Sequence, residues 1–298
     1  MFTLAHISDP HLAPLPRPRP GELFNKRITG YLNWLRGRRR MHSRAVLDAI
    51  VADLKAARAD HVAVTGDIAN FSLGEEFVRG RKWLEEVGKP SDVTFIPGNH
   101  DTYIRAAAQC PELYWADYMR GDHDGAVSFP FVRRRGPIAL IGLSTAVPTA
   151  PFMATGWLGA DQLIRLGAAL HALKNEGLFR VVLIHHPPVT SRDRGKQLLD
   201  AAAFLSTVAA QGAELILHGH EHVAMLNWLD GPQGRAAAVG VPSASGAPGF
   251  AKAAAAWNLY RIAGTAGAWQ CEMISRAIAH DGSIAEITRA DISPVNAR

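Results

Sequence analysis

Residues 215–226 read LILHGHEHVAML, and this stretch decides how the rest of the chain is interpreted. The apolar run 215–217 predicts a buried strand. It is followed by Gly219 and by two histidines, His220 and His222, that are separated by one residue. At the end of a strand such a pair can turn both imidazoles toward one cavity, and imidazole is a common ligand of divalent transition metals. Taken alone, the pair fits two solvated loop histidines equally well.

The same pattern, a short apolar run that ends in polar residues, recurs earlier in the chain. Four earlier runs end in D-x-H, G-D, G-N-H-D and H-H-P. In open α/β sheets the carboxyl ends of the strands converge on the ligand crevice. Each polar residue alone also fits a turn, a cap or a buried histidine, but together they predict one site. The residues are Asp9, His11, Asp67, Asn99, His100, His185, His220 and His222.

The side-chain types in this set restrict the metal that they can bind. Nitrogen and oxygen donors without sulfur suit Mn, Fe, Zn or Co rather than Ca or a structural thiolate zinc. The candidate ligands are too many for one ion, and they divide naturally between two ions ~3.5–4 Å apart that share one carboxylate. Asp67 is the best candidate for the shared ligand. The predicted cofactor is a pair of divalent transition-metal ions, with Mn and Fe preferred over Zn and Co.

Length and composition restrict the class of protein. The chain has 298 residues, of which 48% are hydrophobic and 20% charged, as is ordinary for a soluble globular protein. Cys110 and Cys271 are its only cysteines and form no CxxC pair, so a thiolate metal site is not expected. The N-terminus lacks a signal-peptide pattern, and no apolar run approaches the ~20 residues that cross a bilayer. The expected compartment is the cytoplasm.

The positive charge of the chain is concentrated in one segment. Residues 17–44 contain nine lysines and arginines and one acid, whereas the rest of the chain carries 23 basic and 26 acidic residues. Residues 12–21 contain too many prolines for regular structure, and residues 25–40 predict a helix. One face of this helix is apolar. That face consists of Phe24, Ile28, Tyr31 or Leu32, and Leu35.

Three interpretations of this basic segment remain open. It can be a lid or wall beside the active site, which is the interpretation we favour. It can be an amphipathic helix on a membrane surface, where Tyr31 and Trp34 suit the interface. It can also be a surface helix that packs its apolar face on the main domain. Because the charge is local, it indicates an anion-attracting feature rather than a general nucleic-acid coat.

Two strand pairs are predicted outside the motif blocks. Phe129–Val132 and Ile138–Leu143 form one pair around a basic turn at 133–137. Trp257–Ile262 and Trp269–Ile274 form an antiparallel pair near the C-terminus. Neither an internal repeat nor a long polar linker divides the chain.

The domain organisation follows from this absence of a dividing linker. We expect a single domain over residues 1–298. It contains a basic, Pro/Arg-rich insertion at about residues 12–41. Its C-terminal part, at about residues 223–298, is rich in predicted strands.

Taken in order, the five motif blocks resemble those of the calcineurin-like metallophosphoesterase superfamily. The local sequences ISDPH, TGDIAN, PGNHD, HHPP and HGHEH are similar to the bacterial cyclic-nucleotide phosphodiesterase (class III) branch. The resemblance covers about Leu4 to Val223. It implies an α/β (α+β) fold, a four-layer αββα double β-sandwich. The blocks are Asp9 with His11, Gly66–Asp67, Gly98–Asp101, His185–Pro187 and Gly219–His222.

The resemblance also implies a role for each residue of the site. His186 is a neighbour rather than a ligand by the family pattern, a distinction that the sequence alone does not make. His100 is implied to be a catalytic histidine near the leaving group, and Asp101 to orient it, although a cap of the following turn fits Asp101 equally well. The implied ligands are Asp9, His11, Asp67 and His222 on the first ion and Asp67, Asn99, His185 and His220 on the second.

Six further histidines are predicted to be structural or exposed. Among them, His218 is expected to lie nearest to the ligands because it shares a strand face with His220. This group is His42, His61, His123, His171, His218 and His280.

The predicted function is that of a dinuclear-metal-dependent phosphodiesterase. Two divalent ions lower the pKa of a bound water, and the resulting hydroxide attacks phosphorus while His100 stabilises or protonates the leaving oxygen. Candidate substrates are cyclic nucleotides or other small phosphodiesters. The alternatives are a lipid-linked or nucleotide pyrophosphate or phospholipid held by arginines at a membrane surface, and DNA. A non-catalytic metal-binding scaffold would be expected to lack a ligand, and none is missing from the sequence.

The expected partners follow from these alternatives. They are a small phosphoester substrate and an anionic membrane in peripheral contact with residues 24–40. Nucleic acid is the weakest of the candidates because the sequence contains no recognisable nucleic-acid module. A homodimer is compatible with the sequence, which leaves the oligomeric state open.

Overall fold

The computed structural model describes residues 1–123, 125–189, 193–232 and 234–296, with residues 295 and 296 described by their backbone. The helices within these ranges are α1 (Arg27–Arg36), α2 (Arg44–Ala56), α3 (Gly74–Val87), α4 (Cys110–Trp115), α5 (Ala160–Asn175) and α6 (Ala201–Gln211). The strands are β1 (Phe2–Ile7), β2 (His61–Val64), β3 (Val93–Phe95), β4 (Phe131–Arg135), β5 (Ile138–Gly142), β6 (Phe179–Leu183), β7 (Leu215–His218), β8 (Met225–Gly231), β9 (Gly234–Gly240), β10 (Ala256–Ala263), β11 (Gln270–Ile278), β12 (Ile284–Asp291) and β13 (Val295–Asn296).

The strands form two mixed sheets. In the first, the order is β12-β11-β10-β1-β2-β3, with β1, β2 and β3 parallel and β10 to β12 antiparallel. In the second, the order is β13-β9-β7-β6-β5-β4, with β8 paired to β9. Strands β5, β6, β7 and β9 of this sheet are parallel. Each sheet therefore presents several parallel carboxyl ends at one edge.

The two sheets pack face to face, and helices cover their outer faces. In β5, Ile138 and Leu140 belong to the core between the sheets, whereas Ala139 and Ile141 pack with residues of α5 and α6. This alternation is the period of two that a strand imposes on its side chains. Leu47 of α2 packs into the core on the side of the first sheet. The predicted αββα arrangement is confirmed.

The two predicted strand pairs are both present, but one differs in its limits. Strand β10 pairs with β11 as expected. The basic run that was predicted to be a turn is instead the second half of β4, which continues to Arg135. Arg133 is buried there, and its guanidinium donates hydrogen bonds to the backbone carbonyls of Arg120, Val93 and Asp117. A buried arginine is tolerated in this strand because its donors have partners.

The length and hydropathy of the helices determine whether they can span a membrane. Within the part of the chain that the structure describes, no helix combines the length and the hydropathy that a membrane span requires.

Candidate metal centre

The predicted site residues lie together at the carboxyl ends of β1, β2, β3, β6 and β7. Backbone hydrogen bonds join the loops that follow these strands: the N–H of Asp9 donates to the carbonyl of Gly66 at 3.0 Å. The N–H of His11 donates to the carbonyl of Asp67 at 3.0 Å, and that of Gly219 to the carbonyl of His185 at 3.1 Å. The loops that carry the motifs are thus joined to one another by hydrogen bonds of the protein backbone.

Most of the predicted ligands have an unusual backbone conformation. A positive φ is uncommon outside glycine, and it costs free energy that the surrounding structure must offset. Such residues concentrate at functional sites. The residues with positive φ in this site are Asp9 (52°), His11 (36°), Asp67 (59°), His220 (71°) and His222 (58°).

Two glycines let the backbone approach the carboxylates. A Cβ atom at Gly219 would overlap the Asp9 carboxylate, and one at Gly98 would overlap the Asp67 carboxylate. Only glycine leaves room for these approaches. The glycines of the G-H-x-H and G-N-H-D blocks are therefore needed for space.

Asp67 lies at the centre of the cluster. Its Oδ2 is 3.8 Å from His11 Nε2 and 3.3 Å from His185 Nε2. Its Oδ1 accepts the backbone N–H of His100 at 2.8 Å. One carboxylate oxygen thus faces histidines on both sides, as a ligand shared by two ions must.

On one side of Asp67, three groups converge. His222 Nε2 is 3.2 Å from Asp9 Oδ1 and 3.3 Å from His11 Nε2. His11 Nδ1 faces the carbonyl of Ala69 at 3.1 Å, so it carries the proton and leaves the Nε2 lone pair directed at the cluster. Among the described residues, Asp9 Oδ1 is buried and makes no hydrogen bond. A cation bound between these atoms would satisfy them.

On the other side of Asp67, the arrangement requires positive charge. His185 Nδ1 faces the carbonyl of Thr65 at 2.6 Å, while its Nε2 faces Asn99 Oδ1 at 3.2 Å. His220 Nδ1 is 2.9 Å from the same Asn99 oxygen. Burial opposes a charge on His185, yet the Asp67 carboxylate, together with the Asp9 carboxylate and the Thr65 carbonyl, raises its pKa to about 10. A proton or a metal ion at Nε2 meets this requirement, so the residues fit a divalent cation.

The two adjacent histidines of the H-H-P block have different environments. His186 Nδ1 is 2.6 Å from the hydroxyl of Thr145, and its Nε2 is 3.0 Å from the carbonyl of Ala154. Both ring nitrogens therefore have protein partners. His185, rather than His186, faces Asp67.

Asp101 does not contact the His100 ring in the way that was predicted. Its carboxylate accepts the backbone N–H groups of Asp67, Ala69 and Gly98 at 2.8 to 2.9 Å. Burial, followed by the neighbouring Asp67 carboxylate, raises the pKa of Asp101 to about 8. Asp101 thus holds the G-D and G-N-H-D loops together through these backbone contacts, which differ from the predicted contact with His100.

His100 is oriented by a backbone carbonyl and an arginine instead. Its Nδ1 lies 2.5 Å from the carbonyl of Asn70, and its Nε2 lies 3.1 Å from Arg38 Nη2. The Tyr103 ring stacks on the imidazole with centroids 5.5 Å apart. Burial, followed by the Arg38 guanidinium, lowers the pKa of His100 to about 4. The ring is therefore neutral at pH 7, with its proton on Nδ1 and its Nε2 accepting from Arg38.

The comparison with protein families identifies the group to which this site belongs. The model of the family described as calcineurin-like phosphoesterase matches residues 2–224. The chain belongs to this family. Members are metal-dependent phosphoester hydrolases, and the clusters of histidine and aspartate described above agree with a dimetal site.

One curated relative of this phosphoesterase has a more specific name. A protein from Synechococcus sp. named as a probable cyclic nucleotide phosphodiesterase is 28% identical over 182 residues. The alignment covers 60% of this chain and 64% of that protein, which is less than two thirds of the relative's length.

Solved structures agree with the fold of a phosphoesterase. A dimetal phosphatase from Danio rerio superposes with a TM-score of 0.62 at 14% identity, covering 99% of each chain. A purple acid phosphatase from yellow lupin (Lupinus luteus) has a TM-score of 0.57 at 11% identity and covers 98% of this chain and 53% of that one. At these identities the likeness concerns the fold alone.

His42 lies in the phosphoesterase site although no motif in the sequence indicates it. Its ring centroid is 4.5 Å from that of His11, and its ligand atom lies within 4.8 Å of those of His11 and His222. Its Nδ1 is 2.8 Å from Ser245 Oγ. His42 was predicted to be structural or exposed because it belongs to no motif block, and a bridge to Gly246, distant in sequence, brings it here.

The positions of His218 and His61 agree better than that of His42 with the prediction that these histidines are structural or exposed. His218 is buried beside the site, with Nδ1 3.4 Å from the carbonyl of Gly219 and its ring against Gly240. His61 is buried in β2, and its Nε2 is 2.7 Å from the Thr94 hydroxyl.

Replacing His42 with alanine is expected to weaken metal retention about tenfold, as happens when residues supporting a metal site are removed. A ring nitrogen of His42 lies within 4.8 Å of those of His11 and His222, so loss of the ring affects the ion nearest to them. Metal content after dialysis against a graded chelator series measures this effect. His171→Ala, on the exposed face of α5, is the matched control. Equal retention by both variants would show that His42 does not support the metal.

Proposed function

We propose that the chain is a dinuclear-metal phosphodiesterase that acts on small phosphodiesters, with cyclic nucleotides as the first substrate class to test. The observation that carries the proposal is the position of Asp67 Oδ2, between His11 Nε2 at 3.8 Å and His185 Nε2 at 3.3 Å. Such a carboxylate can serve two ions at once. The donor set of nitrogen and oxygen suits Mn, Fe, Zn or Co, among which Mn and Fe remain the first ions to test.

In this proposal, each ion has its own set of ligands. The buried oxygen Asp9 Oδ1, which makes no hydrogen bond among the described residues, supports the first set. The convergence of His185 and His220 on Asn99 Oδ1 supports the second. The first ion would be held by Asp9, His11, Asp67 and His222, and the second by Asp67, Asn99, His185 and His220.

The chain's own residues would bind and orient the phosphoryl group. When two divalent ions are bound, they supply an activated water and offset charge on the phosphoryl oxygens. Arg38 reaches the same space, where its Nη2 donates to His100 Nε2. A guanidinium at that position can donate to a phosphoryl or leaving oxygen. The cavity around these residues has a volume of about 590 Å³, which accommodates a mononucleotide-sized ligand.

The choice of cyclic nucleotides as the substrate class rests on a comparison with a relative rather than on the geometry of the site. It comes from the name of the Synechococcus relative, which is only 28% identical. Any small phosphodiester with one negative charge would suit the same pair of ions and the same arginine. The reaction class thus has stronger support than the base or sugar that the substrate carries.

A second candidate is supported by apolar residues at the cavity. Phe152 and Met153 line it together with Gly30 and Asn33 of α1, and Phe152 is 90% exposed. An apolar side of this kind suits a phosphodiester or pyrophosphate attached to a lipid. Lys196 at the same cavity adds positive charge that an anionic head group would meet.

A substrate panel with controlled metal content tests the proposal. We expect the Mn- or Fe-loaded protein to hydrolyse an aryl phosphodiester faster than the corresponding monoester, because one arginine and two ions match a monoanion. Chelator treatment should abolish the activity and the same metal should restore it. The panel contains cyclic nucleotides, nucleotide-lipid pyrophosphates, phospholipid head groups and single-stranded DNA, and the rate with each is measured.

The panel also separates the alternatives. A clear preference for the monoester would contradict the phosphodiesterase proposal. Cleavage confined to the lipid-linked members would favour the second candidate over cyclic nucleotides. A metal-loaded protein that cleaves none of them, including the aryl diester, would indicate a non-catalytic scaffold.

A further inference from the structure

Helix α1 contacts the rest of the protein through the face that was not expected to be buried. Arg27 is buried, and its Nε donates to the carbonyl of Phe71 at 2.8 Å while Nη2 donates to that of Ser72. Gly30 lies so close to Phe71 and Tyr103 that a Cβ atom would come within 2.7 Å of both side chains. Arg27 and Gly30 therefore lie on the side of α1 that contacts the rest of the protein.

The apolar face of α1 consequently points to solvent. Phe24 is 89% exposed, Ile28 48%, Leu32 47% and Leu35 40%. Ile28, Leu32 and Leu35 are spaced by four and three residues and so lie along one side of the helix, while Phe24 lies in the turn that precedes it. A surface helix of a globular protein normally buries this side. Of the three interpretations that the sequence left open, packing of the apolar face on the main domain is therefore wrong.

Exposed arginines precede α1, lie on it and follow it in the sequence. Five arginines of the segment are exposed, and within the described ranges of the chain none of them has a carboxylate within 4.0 Å. A basic amphipathic helix with free cations is typical of segments that lie on anionic lipid. The arginines are Arg17, Arg19, Arg36, Arg39 and Arg40.

The helix that carries this apolar face also lies beside the candidate metal centre. Residues Thr29, Asn33 and Arg36 of α1 line the same cavity as His100 and His222. Arg38, just after the helix, reaches His100 itself. Whatever covers the outer face of α1 would therefore lie beside the entrance to the cavity.

We propose that α1 docks on a bilayer that contains anionic phospholipid. Phe24, Ile28, Leu32 and Leu35, here called the α1 apolar face, enter the interface between head groups and acyl chains, and the five arginines bind the lipid phosphates. We choose an anionic bilayer as the occupant because its phosphates complement the charge of the five arginines. A second copy of the chain, placed symmetrically on the same face, would oppose arginines with arginines. The proposal does not depend on which phosphoester the site cleaves.

Vesicle co-sedimentation of the full chain tests the docking. Vesicles of equal parts phosphatidylglycerol and phosphatidylcholine should bind the protein at low salt, and vesicles of phosphatidylcholine alone should bind it at least about tenfold less. Binding to the anionic vesicles should fall as salt is raised, because exposed charges are screened. Absence of binding to the anionic vesicles at low salt would overturn the proposal.

A double variant locates the interaction on α1. Leu32→Ser with Leu35→Ser should lower the vesicle partition coefficient at least about tenfold, because two leucines no longer enter the interface. Hydrolysis of a soluble aryl phosphodiester and the melting temperature should stay unchanged, which shows that the variant is folded. The matched control is Ile164→Ser with Ile287→Ser, two exposed isoleucines on α5 and β12.

Two results with these variants would contradict the proposal. Equal loss of binding in the control would mean that exposed apolar residues act without regard to position. A protein that is dimeric in solution, and that becomes monomeric through Leu32→Ser and Leu35→Ser while vesicle binding persists, would make the second copy the occupant. Because vesicle binding needs no turnover, these results are independent of whether the proposed phosphodiesterase activity is found.

Discussion

Replacing Asp67 with alanine is expected to abolish phosphodiester hydrolysis and to remove both metal ions. Its Oδ2 lies between His11 and His185, and its Oδ1 accepts the backbone N–H of His100 at 2.8 Å. A carboxylate shared by two ions stabilises both of them. We expect the loss of turnover to exceed about a thousandfold, the upper end of what removal of one oxyanion-hole donor costs.

Metal stoichiometry distinguishes the role of Asp67 from that of Asn99. Asp67→Ala should leave less than one ion per chain after purification, whereas Asn99→Ala should retain one, because Asn99 Oδ1 faces His185 and His220, which belong to one proposed ligand set. Elemental analysis of both variants measures this difference. Asp230→Asn, at an exposed position in β8, is the control and should keep both ions and full activity. Two ions retained in Asp67→Ala would show that the carboxylate is not shared.

The convergence of the motif blocks was predictable from the sequence for a physical reason. Asp9, Asp67 and Asn99 follow β1, β2 and β3, which run parallel, and His185 and His220 follow the parallel strands β6 and β7. Parallel neighbours present their carboxyl ends at the same edge. A hydrophobic run that ends in a metal-binding side chain is a local signal, so one sequence suffices to find it.

The position of His42 could not be predicted in the same way. It depends on contacts between segments about 200 residues apart: the bridge to Gly246 and the hydrogen bond from its ring to Ser245. The N–H of Ser43 also donates to the carbonyl of Ser245 at 2.9 Å. Periodicity describes neighbours within one helix or strand and contains no information on such pairings.

The orientation of α1 escaped prediction for a related reason. The spacing of Ile28, Leu32 and Leu35 indicates that one side of the helix is apolar, but it does not state what that side contacts. The structure places Arg27 and Gly30 toward the domain, because the carbonyls of Phe71 and Ser72 accept from the guanidinium. Burial of Arg27, with two guanidinium hydrogen bonds to backbone carbonyls, thus took precedence over burial of the aliphatic side chains.

Replacing His100 with alanine is expected to lower turnover about a hundredfold while both metal ions are retained. The metals remain because His100 contacts the Asp67 carboxylate through its backbone N–H, which the substitution preserves. Turnover falls because the variant lacks the imidazole, which the carbonyl of Asn70 orients and which accepts a hydrogen bond from Arg38. A mispositioned guanidinium then loses its contact with the phosphoryl or leaving oxygen.

The leaving group shows whether His100 acts through Arg38 or as an acid. With a pKa of about 4, the imidazole is neutral at pH 7, and its single proton is directed at Asn70. The loss should therefore be similar for an aryl and for a nucleoside leaving group, and Arg38→Ala combined with His100→Ala should cost little more than either substitution alone. Rates with both substrates, for the two single variants and the double variant, give this comparison. A much larger loss with the nucleoside leaving group would make His100 the general acid, and loss of metal from His100→Ala would make it part of the ligand framework.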